Sequence, residues 1–558
     1  MPKVLVSDSL SETAVQIFRD NNIDVDFLPA LGKDKDALLA KINKYDETTK
    51  VIKNNDTQSY IKKNVARGDI FDRNKSLLAT TIHISSLSIN PQNILNRKET
   101  ISKLKIIFPS INEAIILQKI NTKKNHVNLL RIITPKEHIE VLKAGIEGII
   151  VEQKNKRIYP NNSLVSHILG NTDIDGKGTA GIEKSFEDKL LNGQDVTLSI
   201  HGGVQHILKT VLSKQISKFE AEGGSGIIMD ANSGEIYALA SLPDYNANNY
   251  RETSDIKLFN RASKGIYELG STLKLITAAV AYESELVKET DLFDVSKPIK
   301  ISSRTINDFH PLKLAINIPE IIVHSSNIGS AMIAEKIGPD IQLKFLKNLG
   351  FFDSVKLEIP EISKPQIITD KKRLSTMTIS YGHGISITPV HLATATASII
   401  NGGFKSNPSL IKNSSKNNIK KRIFSENTSL KMRSIMRLVV SNKYGTGKKA
   451  EAAGYLVGGK TGTADKVKKS GGYFKNKNIV AFTGGFPINK PKFVITIMID
   501  SPKNQKLYGR STAGYVAAPV IKKIVTRIAP ILGINPQNDE ALVFTNQLLK
   551  YKIRGDEL

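Results

Sequence analysis

The fold class that the sequence predicts is a multi-domain α+β protein. Its 558 residues are too many for one hydrophobic core, because domains of about 150 residues are usual. Its 40% hydrophobic and 24% charged residues are an ordinary folded composition, which excludes a disordered or collagen-like chain. Short strands and helices alternate from Arg67 to about Gln194. Residues 200–535 are richer in Gly and Ala and contain long apolar helices and strands.

Residues 1–45 predict a short unit of their own. VLVSD predicts a strand, Ser11 caps a helix over SETAVQIFRDN, and IDVDF predicts a second strand before the helix ALLAKINKY. This is the start of a parallel α/β sheet, but it is too short to bury a core alone. The polar residues 46–64 predict a linker or exposed arm, and residues 536–558 predict a tail.

Charge and residue usage limit the function classes. A formal net charge of +26 favours acidic partners such as nucleic acid, anionic lipid or an acidic polymer. The lysine clusters lack interleaved aromatic residues, so they predict a solvated basic surface and no nucleic-acid partner. The absence of cysteine excludes disulfides, cysteine-ligated metals and thiol chemistry. The histidines lack metal-ligand spacing, and neither a metal nor another cofactor is predicted; the four considered are His310, His324, His383 and His391.

Targeting signals are not visible in the sequence. It contains no run of about 18 apolar residues, so no transmembrane helix is predicted. The first residues lack the basic flank, apolar centre and small-residue cleavage site of a signal peptide. Taken alone, these features predict a cytosolic protein.

The first of three short motifs surrounds Ser271, in YELGSTLKLITAAVAYESEL. Gly270 permits a tight entry into a helix, and Lys274 lies one turn after Ser271 on the same face. A serine becomes a good nucleophile when a base takes its proton, and a lysine desolvated enough to be neutral can be that base. The same S-x-x-K spacing recurs, without the glycine and the long apolar helix, at Ser59, Ser102, Ser254 and Ser409.

The second and third motifs follow later in the chain. In HSSNIGSAMIAEKIG, Ser325 and Asn327 form S-x-N on a loop that leads into a helix. YLVGGKTGTA predicts a strand, in which a glycine lets a substrate backbone lie close and Lys460 offers a positive charge to a carboxylate. Each pattern alone is weak, and S-x-N recurs at Ser88, Ser110, Ser415 and Ser425.

The order of the three motifs is more specific than any one of them. It resembles the S-x-x-K, S-x-N and K-T-G series of the penicillin-binding protein and β-lactamase superfamily. The likeness is closest to class B penicillin-binding proteins of the division-specific (FtsI-type) peptidoglycan D,D-transpeptidase kind. VARGDIFDRNKSLLATT is similar to their R-G-x-I-x-D-R-N-G-x-x-L-A signature, with Lys75 in place of the usual glycine.

Further stretches extend the resemblance over residues 65–535. KRIYPNNSLVSHILG and GTAGIEKSFEDKL are similar to the pedestal of the family, and SGIIMDANSGEIYALASLPDYNANN to the start of its catalytic domain. ISYGHGISITPVHLATATASIINGG and YGRSTAGYVAAPVI are similar to later parts. The resemblance implies an elongated α+β pedestal of the dimerisation type over 65–199. It also implies a β-lactamase-like transpeptidase domain over 200–535, with a five-stranded antiparallel sheet and helices.

The resemblance also implies catalytic roles. Ser271 would attack the carbonyl of the penultimate D-Ala of a stem pentapeptide and expel the terminal D-Ala, so that a neighbouring amine then forms the cross-link. Lys274 would be the general base, worth about 10²–10⁴-fold in rate. Ser325 would relay a proton toward the leaving group, and Asn327 would hydrogen-bond the substrate amide.

Substrate-binding roles follow from the K-T-G match. Lys460 and the hydroxyls of Thr461 and Thr463 would hold the terminal carboxylate, and Gly462 would leave room for the substrate backbone. The backbone N–H groups of Ser271 and Thr463 would form an oxyanion hole, in which one donor is worth about 10²–10³-fold. The family usually has proline before the glycine of G-S-x-x-K. Here Leu269 stands there, a change that touches no reacting group.

The resemblance implies ligands, partners and a location as well. The ligands are D-Ala-D-Ala stem peptides and β-lactams, and the partners are division membrane proteins including a glycosyltransferase. The expected location is the inner membrane, with a periplasmic catalytic domain. That setting is anionic and accounts for the charge of +26 better than nucleic acid does. The anchor helix of the family is missing from this sequence, so a chimeric reading frame is expected, whether from fusion, genome rearrangement or assembly error.

A nucleotide hydrolase is a competing interpretation, because GYLVGGKT matches the Walker A pattern and FVITIMID would serve as a second strand. A phosphate-binding loop must follow a strand and begin a helix. Tyr455, Leu456 and Val457 make this loop strand-like, and no amphipathic helix is predicted after it.

A dehydrogenase is another competitor, because residues 1–45 are similar to the N-terminus of D-3-phosphoglycerate dehydrogenase. The similarity stops near Tyr45, and the dinucleotide-binding G-x-G-x-x-G of that family occurs nowhere in the chain. NAD binding is therefore not predicted.

A β-lactamase or a β-lactam-sensing acyl-serine protein shares all three motifs. Such a hydrolase needs a base and a water for rapid deacylation, and no pattern in the sequence assigns that base. The pedestal of about 150 residues also favours a transpeptidase.

Overall fold

The computed structural model describes residues 3–6, 16, 20, 24–27, 66–413, 421–468, 470–503, 511–537, 551 and 553–555. The chain forms two units, Met1–Val65 and Ala66–Leu558. In the first unit, strands β1 (Lys3–Val6) and β2 (Asp24–Phe27) pair in parallel, as the sequence predicts. Gln16 and Asp20 between them are helical. The helix expected over 37–45 and the arm expected over 46–64 lie outside the described residues.

The second unit begins with a region built around one long strand. Strand β4 pairs antiparallel with β3, β5 and β6, and β9 extends β3 in parallel. The strands are β3 Ile70–Phe71, β4 Leu77–Ile89, β5 Val127–Ile133, β6 Ile149–Ile158, β7 Asn171–Thr172, β8 Gly178–Ala180 and β9 Val196–Thr197. The helices are α1 Arg97–Ile107, α2 Glu113–Ile120, α3 Pro135–Ala144, α4 Ser166–Leu169, α5 Gly181–Ser185 and α6 Glu187–Leu191.

A buried ion-pair network joins distant stretches of this region. Glu183, whose side chain has no exposed surface, accepts hydrogen bonds from Arg67 Nε and Arg157 Nε, both at 2.7 Å. Arg67 also reaches Glu187 at 2.8 Å. A buried carboxylate is tolerable only when it is paired in this way. The stretches VARGDIFDRN and GTAGIEKSFEDKL, recognised separately in the sequence, are therefore bound to each other.

The remainder of the chain forms a region around an antiparallel sheet. The strands are β10 Gly223–Asp230, β11 Ile236–Leu242, β12 Phe293–Asp294, β13 Ile299–Ile301, β14 Arg304–Ile306, β15 Ala315–Ile316, β16 Gln366–Ile367, β17 Ile385–Ser386, β18 Gly458–Val467, β19 Tyr473–Phe486 and β20 Phe493–Asp500. The helices are α7 Gly202–Lys218, α8 Asp255–Leu258, α9 Lys274–Glu283, α10 Ile318–His324, α11 Asn327–Ile337, α12 Pro339–Asn348, α13 Arg373–Ser380, α14 Pro389–Ile400, α15 Glu426–Ser441, α16 Ala513–Val516 and α17 Ala518–Ile531.

The main sheet has five strands in the order β11-β10-β20-β19-β18, all antiparallel. This confirms the five-stranded antiparallel sheet that the resemblance implies. The central strand β20, with sequence FVITIMID, is buried on both faces, which explains its nearly continuous apolar run. Within the part of the chain that the structure describes, strand β18 has a neighbouring strand on one side only and is one of the two edges of the sheet.

Helices cover both faces of this sheet. Alternate residues of β20 serve two apolar clusters, with Val494 and Met498 in one and Ile495 and Ile497 in the other. Helices α7 and α17 cover the second face, and α14 and α9 belong to the first. Helix α9 is almost wholly buried because its sequence KLITAAVAYE is apolar all round. Within the described residues, none of the helices has the length and apolarity needed to cross a membrane.

The turn between β3 and β4 connects the two regions of the second unit. One carboxylate oxygen of Asp72 accepts from the N–H groups of Asn74 and Ser76, each at 2.8 Å, and the other accepts from Gly202 N at 3.1 Å. Arg73 stacks on the ring of Tyr237, 3.6 Å from its centre, and pairs with Glu235. The turn therefore fastens the first region to the helix and strand that begin the second.

Lys75 lies in this turn in the left-handed region, with φ of +67°. A side chain at such an angle costs about 1–2 kcal/mol relative to glycine. The family signature has glycine at this position, and the structure gives the physical reason. The Lys75 ammonium donates to Thr197 Oγ1 at 2.9 Å, an exposed contact that offsets little of the strain.

Replacing Lys75 by glycine should therefore stabilise the protein. We expect Lys75→Gly to raise the free energy of unfolding by about 0.5–1 kcal/mol, because the strain is lost while glycine adds unfolded-state entropy. Denaturant unfolding measures this change. Lys75→Ala is the matched control, since it removes the same contact but keeps a side chain at positive φ. Equal stability of the two variants would contradict the strain argument.

Candidate active site

The turn that carries Ser271 is a short 3₁₀ helix, Gly270–Leu273, which runs directly into α9. Gly270 has φ of +53°, a value that favours glycine. Ser271 is half-buried, whereas Lys274, the first residue of α9, has no exposed surface. The predicted helix start is therefore correct, with a tighter first turn than an α-helix.

Three glycines let this turn lie directly against its neighbours. A Cβ atom on Gly462 would lie 2.2 Å from the carbonyl oxygen of Leu269, and one on Gly270 would lie 2.6 Å from that of Thr463. A Cβ atom on Gly382 would lie 2.2 Å from the carbonyl oxygen of Gly270. The backbones of the S-x-x-K turn and the K-T-G strand are thus in contact, and no side chain fits between them.

Ser325 is the meeting point of the three motifs. It terminates α10 in the left-handed conformation, with φ of +64°. Its hydroxyl accepts from Lys460 Nζ at 2.9 Å and from Lys274 Nζ at 3.3 Å. Lys274 also donates to the carbonyl oxygen of Ser325 at 2.5 Å. Lys274, Ser325 and Lys460 are far apart in the chain, and the order of the motifs predicts that they meet in the fold. The structure brings them into one hydrogen-bonded group.

The two lysine amines are fully buried. Burial lowers the pKa of Lys460 to about 7. Burial, and then the like charge of Lys460, hold the pKa of Lys274 well below its usual value, although Asp308 opposes the shift. The lowered pKa favours the neutral form of the Lys274 amine, the state in which it can accept a proton.

Asp308 organises the start of α11 and was not predicted from the sequence. Its carboxylate accepts from Ser326 Oγ at 2.6 Å, from Ile328 N at 3.0 Å and from Asn327 N. Asp308 is therefore the residue that fixes the S-x-N loop in place. It lies in an irregular segment after β14, where no local pattern distinguishes it from a surface aspartate.

Asn327 begins α11 and is half-buried. Its side-chain amide donates to the carbonyl oxygen of Asn307 at 2.9 Å. This contact orients the side chain and leaves its carbonyl oxygen as the group for a further bond. Ser326, the residue between the two motif positions, is the N-cap of α11 and accepts from Gly329 N at 2.9 Å.

The K-T-G strand begins three residues later than predicted and is equally long. Strand β18 begins at Gly458, so Tyr455, Leu456 and Val457 lie outside it, contrary to the predicted strand YLVGGKTGTA. Leu456 has φ of +42°, which strand geometry does not permit, and this local backbone reversal explains the difference. The strand continues to Val467, so no helix follows Lys460 and the phosphate-loop interpretation is excluded.

The two threonines of the strand differ in their surroundings. Thr461 is buried, and its hydroxyl donates to Thr446 Oγ1 at 2.8 Å. Thr463 is exposed, and its hydroxyl accepts from Ala513 N at 3.1 Å. Thr446 was missed by sequence reasoning because it lies in a loop without any motif. Of the two threonines that are predicted to hold the carboxylate, Thr463 is the accessible one.

A second polar cluster lies beside the nucleophile turn. Glu268 accepts from Gly384 N at 2.8 Å and from Tyr473 Oη at 3.0 Å, so both of its oxygens are engaged. The ring of His383 lies 5.9 Å from that of Tyr473. Leu269, which replaces the usual proline, is buried and packs in the main core. These residues support the turn that carries Ser271.

The arrangement has the parts of a nucleophilic acyl-transfer site. Ser271 supplies a hydroxyl, Lys274 a neutral amine, and Ser325 a hydroxyl that can pass a proton between two amines. The edge strand β18 offers backbone groups to an extended ligand. Among the described residues, no group of three or more His, Asp or Glu could hold a metal ion.

Comparison with known proteins gives two family matches. Residues 224–526 match the penicillin-binding protein transpeptidase domain, and residues 62–197 match the penicillin-binding protein dimerisation domain. A protein of Caulobacter vibrioides named "Probable peptidoglycan D,D-transpeptidase FtsI" is 34% identical, over 85% of this chain and 82% of its own. One of Neisseria gonorrhoeae named "Probable peptidoglycan D,D-transpeptidase PenA" is 29% identical, over 84% and 85%.

The fold is also similar to that of solved structures. Penicillin-binding protein 3 from Mycobacterium tuberculosis, in complex with aztreonam, superposes with a TM-score of 0.67 at 22% identity. The match covers 85% of this chain and 98% of that one. It supports the architecture of a transpeptidase domain preceded by a dimerisation-type region.

The buried lysines predict a pH dependence of acylation by benzylpenicillin. The rate should rise with pH as Lys274 loses its proton, and fall through about pH 7 as Lys460 loses the charge that is expected to bind the β-lactam carboxylate. The second-order rate constant reports the free enzyme, and we expect it to fall about tenfold or more between pH 7 and pH 9. The methyl ester of benzylpenicillin, which lacks the carboxylate, is the matched control and should show no such fall. A fall of equal size with both compounds would contradict the assignment to Lys460.

Proposed function

The chain belongs to the penicillin-binding protein transpeptidase family and is a peptidoglycan D,D-transpeptidase that binds β-lactams, and we propose that it acts through an acyl ester on Ser271. The observation that carries this proposal is the Ser325 hydroxyl, held between two fully buried lysine amines next to the turn of Ser271. Fully buried amines are costly, and active sites are where proteins retain them.

The first half-reaction is acylation. Lys274 takes the proton of the Ser271 hydroxyl while its oxygen attacks the carbonyl carbon of the penultimate D-Ala of a stem peptide. The C–N bond to the terminal D-Ala then breaks. The proton reaches the leaving amine through the Ser325 hydroxyl, which already accepts hydrogen bonds from both lysines.

The tetrahedral intermediate carries a negative oxygen, and backbone N–H groups stabilise it. We assign this role to the N–H groups of Ser271 and Thr463, because the contact between Gly270 and the Thr463 backbone makes the two segments neighbours. Lys460 and the accessible Thr463 hydroxyl hold the terminal carboxylate. The hydroxyl of Thr461, which donates to Thr446, assists by fixing the strand.

The second half-reaction transfers the acyl group. The amine of a neighbouring stem peptide attacks the ester carbonyl, the C–O bond to Ser271 breaks, and the new amide is the cross-link. The amine proton returns to Ser271 through Lys274. Asn327 and Gly462 are assigned to binding the substrate backbone, which lies along the edge strand β18.

Hydrolysis of the acyl ester is the competing fate. A β-lactamase needs a free base that activates water. Glu268, three residues before Ser271, has both oxygens engaged by Gly384 and Tyr473, and Asp308 is engaged by the S-x-N loop. These contacts favour a long-lived acyl-enzyme over rapid turnover.

The domain boundaries, partners and location belong to the same proposal. We assign residues 65–199 to the pedestal and 200–535 to the transpeptidase domain, a division supported by the two family matches. We propose a role in septal wall synthesis with division membrane proteins, including a glycosyltransferase. A position outside the cytoplasmic membrane follows from where the substrate is assembled.

Fluorescent penicillin tests the proposal on the expressed chain. We expect covalent labelling that Ser271→Ala abolishes and that Lys274→Met lowers by about 10²–10⁴-fold in rate, because the nucleophile and its base are lost. The label should be retained for far longer than one catalytic cycle.

Ser59→Ala is the matched control, since Ser59 begins another S-x-x-K pattern and itself lies before both family matches. It should be labelled like the unmodified chain. Labelling of Ser271→Ala would refute the site assignment, and rapid release of hydrolysed penicillin would favour the β-lactamase alternative.

A further inference from the structure

Tyr551 and residues 553–555, called the strap here, pack against the region that carries Ser325. Before the strap, the structure describes the chain as far as Gln537, whose N–H donates to Gly454 O at 2.8 Å. The next described residue is Tyr551. Tyr551 and Ile553 pack on the main apolar core. Nothing in the sequence of these residues resembles the catalytic motifs.

Arg554 contacts both ends of α10. Near the helix start, its guanidinium donates to both oxygens of Glu320, each at 2.8 Å, and to the carbonyl oxygen of Ala315 at 2.9 Å. At the helix end, its own carbonyl oxygen is 2.6 Å from Nε2 of His324. His324 directly precedes Ser325, so one residue of the strap spans the seven-residue helix that positions the Ser325 hydroxyl.

The ion pair with Arg554 matters for stability because Glu320 is buried. Its side chain has no exposed surface, and it also closes the capping box with Asn317 at the start of α10. A carboxylate buried to this degree needs a paired cation. Burial raises the pKa of Glu320, but the hydrogen bonds from Arg554 and Asn317 outweigh it and hold the pKa below its usual value.

The strap also touches a second loop of the site. A Cβ atom on Gly555 would lie 2.2 Å from the ring of Tyr444, and that ring lies 5.4 Å from the ring of His324. Two residues later, Thr446 accepts from the hydroxyl of Thr461 in the K-T-G strand. The strap therefore borders the supports of both Ser325 and β18.

We propose that Arg554 is a positioning residue for Ser325, and that docking of the strap on α10 sets the rate at which Ser271 is acylated. This inference rests on the proposed role of Ser325. Arg554 acts through the helix and contacts no substrate. Its loss shifts the end of α10, and with it the hydroxyl that lies between Lys274 and Lys460.

The experiment measures the second-order rate constant for acylation by a fluorescent penicillin, together with the melting temperature. We expect Arg554→Ala to slow acylation on the order of tenfold to a hundredfold, because small displacements of a catalytic group have effects of this size. Arg554→Lys, which keeps the charge but loses the two-pronged contact, should recover part of the rate.

Stability and positioning are separated by two further variants. Arg554→Ala combined with Glu320→Gln removes the unpaired buried charge while glutamine retains the capping box, so stability should recover but acylation should stay slow. Ile116→Ala creates a cavity in the first region, far from the site, and should lower the melting temperature with the acylation rate unchanged. Tyr551→Phe, which loses only the hydroxyl bond to Glu289, is the control within the strap and should react normally.

A chain ending at Lys550 provides an independent measurement. It should be acylated slowly, and the added peptide YKIRGDEL should restore the rate, whereas the same peptide with alanine in place of Arg554 should not. Equal effects of the two peptides would overturn the proposal. So would a normal rate, below the melting temperature, in Arg554→Ala or in the double variant.

Ser325→Ala distinguishes this inference from the proposed function. If Ser325→Ala is acylated at the normal rate, the role of Ser325 itself is wrong. If Ser325→Ala is slow while the Arg554 variants are normal, the proposed function stands and the strap has no part in it.

Discussion

The burial of two lysine amines around one serine hydroxyl is the constraint on which the rest of the site depends. Lys274 and Lys460 have no exposed surface, and both donate to Ser325. Burial removes the water that would solvate two ammonium groups and lowers the pKa of both lysines. The like charge of Lys460 lowers the pKa of Lys274 further. The lowered pKa of Lys274, one helical turn after Ser271, is thus a consequence of packing. Lys274 begins the apolar helix α9 and Lys460 lies in strand β18 of the main sheet, so packed elements exclude water from both amines.

Backbone contact, more than side-chain contact, brings these groups together. Gly270, Gly382 and Gly462 each lie where a methyl group would overlap a neighbouring carbonyl oxygen. The nucleophile turn is therefore fixed between the K-T-G strand and the loop before β17. Asp308 adds a strong polar anchor on the S-x-N side, because it binds the N-terminus of α11. The site is rigid where it must hold protons and open along the edge of β18, where a peptide can lie.

The sequence predicts the parts of this site that depend on local spacing, and it misses those that depend on distant contacts. The transpeptidase fold and its five-stranded sheet were implied by the family resemblance that the motifs carry, and the apolar run FVITIMID is typical of a buried strand such as β20. The predicted start of β18 was wrong because the positive φ of Leu456 interrupts a stretch whose residue types favour a strand. Arg554 could not have been found, since its partner Glu320 lies 234 residues earlier and neither belongs to a motif. The left-handed backbone of Lys75 could be suspected from the sequence only because the family signature has glycine at this position.

The edge position of β18 has a consequence for how such a protein can evolve under antibiotic selection. A ligand that pairs with the backbone of this strand uses groups that every amino acid possesses, so substitution cannot remove them. The glycines beside it cannot gain a side chain without breaking the site. In the proposed binding mode, substrate and β-lactam use these same backbone groups. Side-chain changes that alter access to the site are therefore expected at neighbouring positions such as His383 and Tyr444, and not at Gly382.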